Sequence, residues 1–325
     1  MGFTVSRMTV MDWLLDSDPA LRWQVLRDLT DAKPDVVAAE RSRVHTEGWG
    51  ARLLSLRDPD GQWAGGACFP GDFRGDFSGG QPWTSTFPSL SLLRDFGIDP
   101  FADVVRDAVE LVRKNCRWEH AGQAFFDGEV EPCINGRTVA IGAYFAVNVD
   151  DIVTRLLGEQ LEDGGWNCEV ENGSVRSSFD TTMCVLDGLL EYEKATGGSP
   201  ESVAARVRGQ EYLLDRRLYR RLSTGEVANP DWLNFTFPPW WHYDVLRALD
   251  HFRATGSDPY VLLEEAIELL RSKQQPDGTW LAGPAHPGAV HFAVEEEEGR
   301  PSRWNTLRAL RVLTWYDNDS VEAHL

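Results

Sequence analysis

The chain has 325 residues, 42% of them hydrophobic, with 32 Lys plus Arg against 51 Asp plus Glu for a net charge of −19. That apolar content is enough for a sizeable core and excludes a disordered chain. The acidic balance excludes nucleic acid and an anionic membrane surface as partners, because their phosphates would be repelled.

Helical periodicity dominates and apolar–polar alternation is nearly absent, so the elements read as helices. Val10 to Leu15 is a short apolar stretch. Asp18-Pro19 opens a helix to about Thr30, with Asp as cap and Pro in the first turn, where its missing N–H is not needed. Lys33-Pro34 opens a second helix that ends near Leu56. A helix at about 84–96 pairs with one that starts at Asp99-Pro100 and ends near Asn115. A third pair covers about 137–146 and 149–161, turning at Asn148. A fourth covers about 179–195 and 200–215, with Gly197-Gly198-Ser199-Pro200 as stop and start. The fifth covers about 241–254 and 258–273, and a single helix follows at about 302–316. Residues 1–9 and 317–325 read as a flexible extension and tail of one domain, 1–325.

The first helix of each pair is the more apolar, as with Met183, Val185, Leu186 and Leu189; the second carries more charge, as with Arg106, Asp107, Glu110 and Arg113. An inner ring of apolar helices inside an outer amphipathic ring buries both faces of the first set. The expected fold is all-α, an α/α toroid of about six helical hairpins, with the Val10–Leu15 stretch supplying the outer helix that the last one lacks. An open superhelical solenoid is the alternative. Loops between pairs are long (about 57–82, 116–135, 162–178, 216–238 and 275–301), and each precedes an inner helix. Long loops are usually functional, so a ligand site is expected at that mouth.

Five cysteines without short pairing spacings suit a reducing cytosol better than a disulfide framework. No apolar run is long enough to cross a bilayer, and no signal sequence is evident. A cytoplasmic location is therefore expected. Oligomeric state is not readable.

Three helix-like stretches stop in similar words: Asp60-Gly61-Gln62-Trp63, Asp163-Gly164-Gly165-Trp166 and Asp277-Gly278-Thr279-Trp280, the last two preceded by Gln160 and by Gln275. A recurring stop before an aromatic marks a repeat architecture. These loops resemble the Gln-to-Trp repeats of squalene–hopene and oxidosqualene cyclases, and similar Gly-Gly-aromatic loops mark the β subunits of protein prenyltransferases. The resemblance implies the toroid and a ligand in its central cavity. Triterpene cyclases have two helical domains and about twice this length, whereas this chain has one. Their proton-donating Asp-x-Asp-Asp motif has its nearest counterpart in Asn148-Val149-Asp150-Asp151, which lacks the first Asp. That segment also reads as a helix start, with Asn148 as cap and two carboxylates at the positive helix end.

Aligned starts of the inner helices nominate the site: Trp83 and Thr84, Arg137, Asp180, Trp241, His242 and Asp244, Trp304 and Asn305. Thr84, Thr182 and Thr306 read more simply as helix caps. Arg137 and His242 are poor caps, because the helix dipole disfavours a cation there, so they ask for an anionic partner. Asp180 in a dry cavity would have a raised pKa and could donate a proton, with Asp244 as the alternative acid. Trp83, Trp166, Trp241 and Trp304 would face a substrate, and aromatic walls suit a cationic intermediate. The prenyltransferase resemblance implies a zinc site, for which Cys133, Cys168 and His242 are the candidates. The expected activity is squalene cyclase-like or prenyltransferase-like, on an isoprenoid or other apolar small molecule. The alternatives are a carbohydrate-active toroid, hydrolase or lyase, with Asp180 and Asp244 as paired acids, and a non-catalytic toroid that binds a ligand or partner.

Overall fold

The computed structural model describes residues 9–322; residues 1–8 of the expected extension 1–9 and residues 323–325 of the expected tail lie outside the described residues. The chain is all-α, with thirteen helices among the described residues: α1 (Val10–Leu15), α2 (Pro19–Leu29), α3 (Pro34–Ser42), α4 (Gly48–Ser55), α5 (Thr86–Asp95), α6 (Asp103–Asn115), α7 (Pro132–Tyr144), α8 (Asp150–Gly158), α9 (Phe179–Thr196), α10 (Pro200–Asp215), α11 (Val245–Ala254), α12 (Glu264–Ser272) and α13 (Arg303–Glu322). A two-residue antiparallel pair, β1 (Trp280–Leu281) with β2 (Pro301–Ser302), clasps the loop before α13. None of the described helices is long and apolar enough to cross a membrane.

Local chemistry sets the helix starts. Asp18 accepts the N–H of Ala20 at 2.9 Å to cap α2, and its second oxygen takes the N–H of Trp49 at 2.8 Å, at the start of α4. Ser178, Ser199 and Asp244 cap α9, α10 and α11 through first-turn N–H groups. Several boundaries differ from expectation, including the fifth pair, whose helices start at Val245 and Glu264 rather than near 241 and 258. The helix expected from Lys33 to Leu56 breaks at a 3₁₀ turn, Arg43–His45, because Gly48 adopts φ +63°. Helix α7 begins at Pro132, so Cys133 sits in its first turn and Arg137 well inside it. The expected tail from 317 is instead helical to residue 322.

The three Trp loops share one hydrogen-bond pattern. Gly61, Gly164 and Gly278 each take a left-handed φ (98°, 95° and 87°) in a tight turn that follows the helix, rather than at the helix cap itself. Each Trp indole donates to the carbonyl ten residues earlier: Trp63 to Leu53, Trp166 to Leu156 and Trp280 to Leu270, at 2.7–2.8 Å. Each Trp backbone N–H donates to a threonine hydroxyl on the next inner helix: Thr86, Thr182 and Thr306, at 3.0–3.1 Å. The expected caps Thr182 and Thr306 therefore receive the preceding loop instead. Gln160 donates to the carbonyls of Gly164 and Ala205, tying its turn to α10.

Helices α5, α7, α9, α11 and α13 touch in succession, and α13 also touches α2. Trp23 and Gln24 of α2 donate to the carbonyls of Phe96 and Asp95 at the end of α5. The closest crossing is α7 on α9. A Cβ on Gly188 would lie 2.2 Å from the Gly136 carbonyl oxygen, so only glycines allow that approach.

Candidate functional site

A cavity of about 390 Å³ lies among α2, α5, α7, α9, α11 and α13. Its wall carries nine Arg and Lys side chains against four acids, the reverse of the chain's overall charge. Much of the wall comes from the C-terminal halves of inner helices, including Arg27, Arg94, Tyr144, Glu191 and Arg253. Phe237 and Pro239, from the loop before α11, and Trp304 add to the lining. Phe237 stacks on Trp304 at 4.0 Å, and Trp83 stacks on Trp240 at 4.9 Å. The long loops thus pack aromatic rings on the end that the sequence nominates as a mouth.

Two ion-pair groups order the wall. Asp187 receives Arg247 through Nη2 at 2.8 Å and Nε at 3.2 Å, and its other oxygen faces His251 Nδ1 at 3.3 Å. Gln210 sits 3.1 Å from His251 Nε2, and its own carbonyl oxygen accepts from Arg206 at 3.0 Å. The Gln210 amide therefore donates to Nε2, and His251 is neutral with its proton on Nδ1, toward Asp187. Burial also lowers the His251 pKa. Asp250 binds Arg311 at 2.5 Å and Arg253 at 2.7 Å. Burial would raise both aspartates, but Arg247 and Arg311 outweigh it and hold each carboxyl well below its usual range. Asp95 goes the other way: burial raises it despite Arg94 at 3.2 Å.

Arg137 stands outside both groups. It is 7% exposed and lines the cavity, and its Nη1 donates to the Trp240 carbonyl. Among the described residues no carboxylate lies within ion-pair distance of it, and burial, with Arg247 nearby, pulls its pKa down. Arg308 differs in having a buried counter-charge: it donates to the Thr236 carbonyl at 3.3 Å and pairs with Asp244 at 3.8 Å. A desolvated guanidinium without a counter-charge is costly, and an anion beside Arg137 would offset that cost.

Of the other residues nominated from sequence, only Trp304 lines this cavity. Asp180 accepts the Tyr243 N–H at 2.8 Å, and Asp244 takes the Arg247 N–H at 2.7 Å as the α11 cap. Burial raises both carboxyls, yet both are engaged with backbone outside the lining. Thr84 precedes the actual α5 cap, Ser85. Trp166 is fully buried in its repeat loop. Trp241 is 38% exposed and donates to Gln81. Asn305 is buried and donates to the carbonyls of Phe235 and Leu281, which fixes the loops before α11 and α13. Tyr192 and Asn148 side chains donate to Asp150 and lower its pKa; α8 starts here with Val149 rather than Asn148 at the cap, while Asn148 Oδ1 accepts the Asp150 N–H at 3.0 Å.

The expected zinc trio is split. Cys133 and Cys168 touch, at 2.7 Å between sulfurs. His242 instead lies between the rings of Trp241 (3.7 Å) and His286 (3.6 Å), and Glu131 is the third group near the thiols. Burial lowers His242 to about 3, and its buried Nδ1 has no hydrogen-bond partner. Glu295, in the acidic run at 295–298, is partly buried: burial lifts it to about 7, and Ser302 donates to it.

The cavity residues missed from sequence are charges on apolar helices: Arg94 and Asp95, Asp187, Arg247 and Asp250, Arg308 and Arg311. The available signal was their three-residue spacing in Arg247/Asp250 and Arg308/Arg311, which puts each pair on one helix face.

No protein-family model matches the chain, and no curated protein matches it either. Among solved structures, a protein from Actinoplanes is similar over 94% of this chain and 90% of its own, with 14% identity and a TM-score of 0.43, a likeness too distant to carry an argument about function.

Proposed function

We propose that the helices close into an α/α toroid and that its central cavity binds a small molecule with an anionic head and an apolar body, an isoprenoid diphosphate being the leading class. The observation that carries this reading is Arg137, a buried cation without a carboxylate, on a wall where cations outnumber acids. A diphosphate offers several oxygens to forked guanidinium groups such as Arg137 and Arg308. Trp23, Leu190, Phe237 and Trp304 on the same wall supply apolar surface for a prenyl chain. A purely hydrocarbon ligand such as squalene leaves Arg137 without a counter-charge and is disfavoured. The cavity volume falls within the usual range for small-molecule sites.

A cyclase or prenyltransferase reaction would additionally need a proton donor or a nucleophile. Asp95 is the wall carboxyl raised by burial and is the candidate acid. The non-catalytic binding reading draws on Asp187 and Asp250, which are held as carboxylates and cannot donate a proton. The carbohydrate reading loses support because Asp180 and Asp244 are engaged with backbone N–H groups.

Native mass spectrometry with farnesyl diphosphate, squalene and an oligosaccharide separates these readings. The proposal expects a one-to-one complex with the diphosphate alone. Retention of the oligosaccharide or of squalene in its place would overturn it, and release of inorganic diphosphate from the complex would mark an enzyme.

A further inference from the structure

The five cysteines fall into two chemical classes. Cys68, Cys116 and Cys184 are buried, at 8%, 0% and 0% exposure, and burial pushes all three thiols up, Cys116 to about 12. Cys133 and Cys168 are only partly buried, and their sulfurs lie 2.7 Å apart although 35 residues separate them in sequence. Cys133 sits in the first turn of α7, and Cys168 in the loop before α9 beside the Thr181 hydroxyl at 3.2 Å. Helix α7 packs closely on α9, so the folded backbone itself presents the two sulfurs to each other.

Two thiolates on one tetrahedral zinc stay roughly 3.8 Å apart when each Zn–S bond is about 2.3 Å, so a zinc ion would have to push these sulfurs apart. The third nearby group is the exposed carboxylate of Glu131, 3.3 Å from Cys133 Sγ. We infer that Cys133 and Cys168 form a reversible dithiol–disulfide site whose oxidant is a hydroperoxide. The Cys168 sulfur attacks the peroxide oxygen, breaks the O–O bond and becomes a sulfenic acid, while the leaving oxygen departs as water or an alcohol after taking a proton. The Cys133 sulfur then displaces hydroxide from the sulfenic sulfur to form the S–S bond. Its thiol proton leaves with that hydroxide as water. Two thiols lose two electrons, and the peroxide gains them. The polarity follows from the contacts. The two sulfurs share one hydrogen bond, so one thiol keeps its proton while the other ionises; Cys168, which also has the Thr181 hydroxyl at 3.2 Å, is the one lowered, whereas Cys133 is raised. The product ties the first turn of α7 to the loop before α9. The Cys133–Arg137 spacing is one helical turn, so the bond anchors the segment that carries the cavity's unpaired guanidinium.

The test is peptide mapping of the intact chain after hydrogen peroxide treatment, under non-reducing conditions. Trypsin places Cys133 in residues 118–137 and Cys168 in residues 156–176, each the only cysteine of its peptide. The expected product is these two peptides cross-linked and lighter by two hydrogens, restored by dithiothreitol, with Cys68, Cys116 and Cys184 still reduced. The oxidised chain should melt a few degrees higher than the reduced one. In Cys133→Ser the resolving sulfur is gone, and Cys168 should be trapped as a sulfenic acid by dimedone. Both thiols alkylating freely after peroxide, or oxidation spread evenly over all five cysteines, would overturn the assignment. So would tight stoichiometric zinc that blocks the cross-link.

Discussion

A guanidinium sealed from water with no carboxylate in reach weakens the fold that contains it, and Arg137 is in that position. Arg137→Met should therefore leave stability unchanged or raise it by about 1 kcal/mol, while removing the anion contact. Urea unfolding measures this, and a loss of several kcal/mol would mean that Arg137 is already compensated. Asp187 predicts the opposite. Asp187→Asn strips the counter-charge from buried Arg247 and should cost about 3–5 kcal/mol. His242 makes a pH prediction. Its folded pKa of about 3 lies below the ordinary value of 6.5, so the unfolded chain binds a proton first as pH falls. The His242 contribution is intact above pH 6.5 and is lost progressively down to about pH 3. His242→Phe keeps the stack and cannot titrate. Its stability relative to the parent should rise between about pH 7.5 and about pH 5, and an unchanged difference would contradict the buried neutral imidazole.

The threonine-to-tryptophan ties form the repeating element. Thr182→Val keeps the volume but leaves the buried Trp166 N–H without an acceptor, and should cost about 1–3 kcal/mol. Thr86→Val and Thr306→Val should cost similar amounts, measured by the same unfolding curves; three unrelated values would argue against a repeated unit. At this scale much was legible in the sequence. Helix α10 runs from Pro200 to Asp215 as expected, because Gly197-Gly198-Ser199-Pro200 carries both a stop and a capped start. The Asp-Gly-x-Trp wording marked the loops correctly, but the threonine acceptors were hidden, since they sit 16–26 residues downstream and look like ordinary caps. The start of α7 was missed because Asn135 and Gly136 look like breakers. Tertiary packing overrides that weak local preference: Asn135 bonds Glu129 at both amide atoms, and Gly136 lies against α9.

Over the whole molecule, acids dominate the composition while cations outnumber acids on the wall of the 390 Å³ cavity. Net charge read from composition argues against polyanion partners at the surface but is silent about an interior site, and the apolar-ligand expectation came from the resemblance of the Trp loops. Only the packing of inner helices brings Arg137, Arg247 and Arg308 together from α7, α11 and α13. An anion held there should be attracted by the local field and released by salt. Calorimetric titration of farnesyl diphosphate and of farnesol into the parent and Arg137→Met proteins tests this account most directly. The account predicts that the diphosphate binds the parent in a salt-sensitive manner, that Arg137→Met weakens it about ten- to hundredfold as one charge-assisted contact should, and that farnesol binds neither protein well. Equal affinity of the diphosphate for both proteins, or farnesol binding as tightly as the diphosphate, would contradict it.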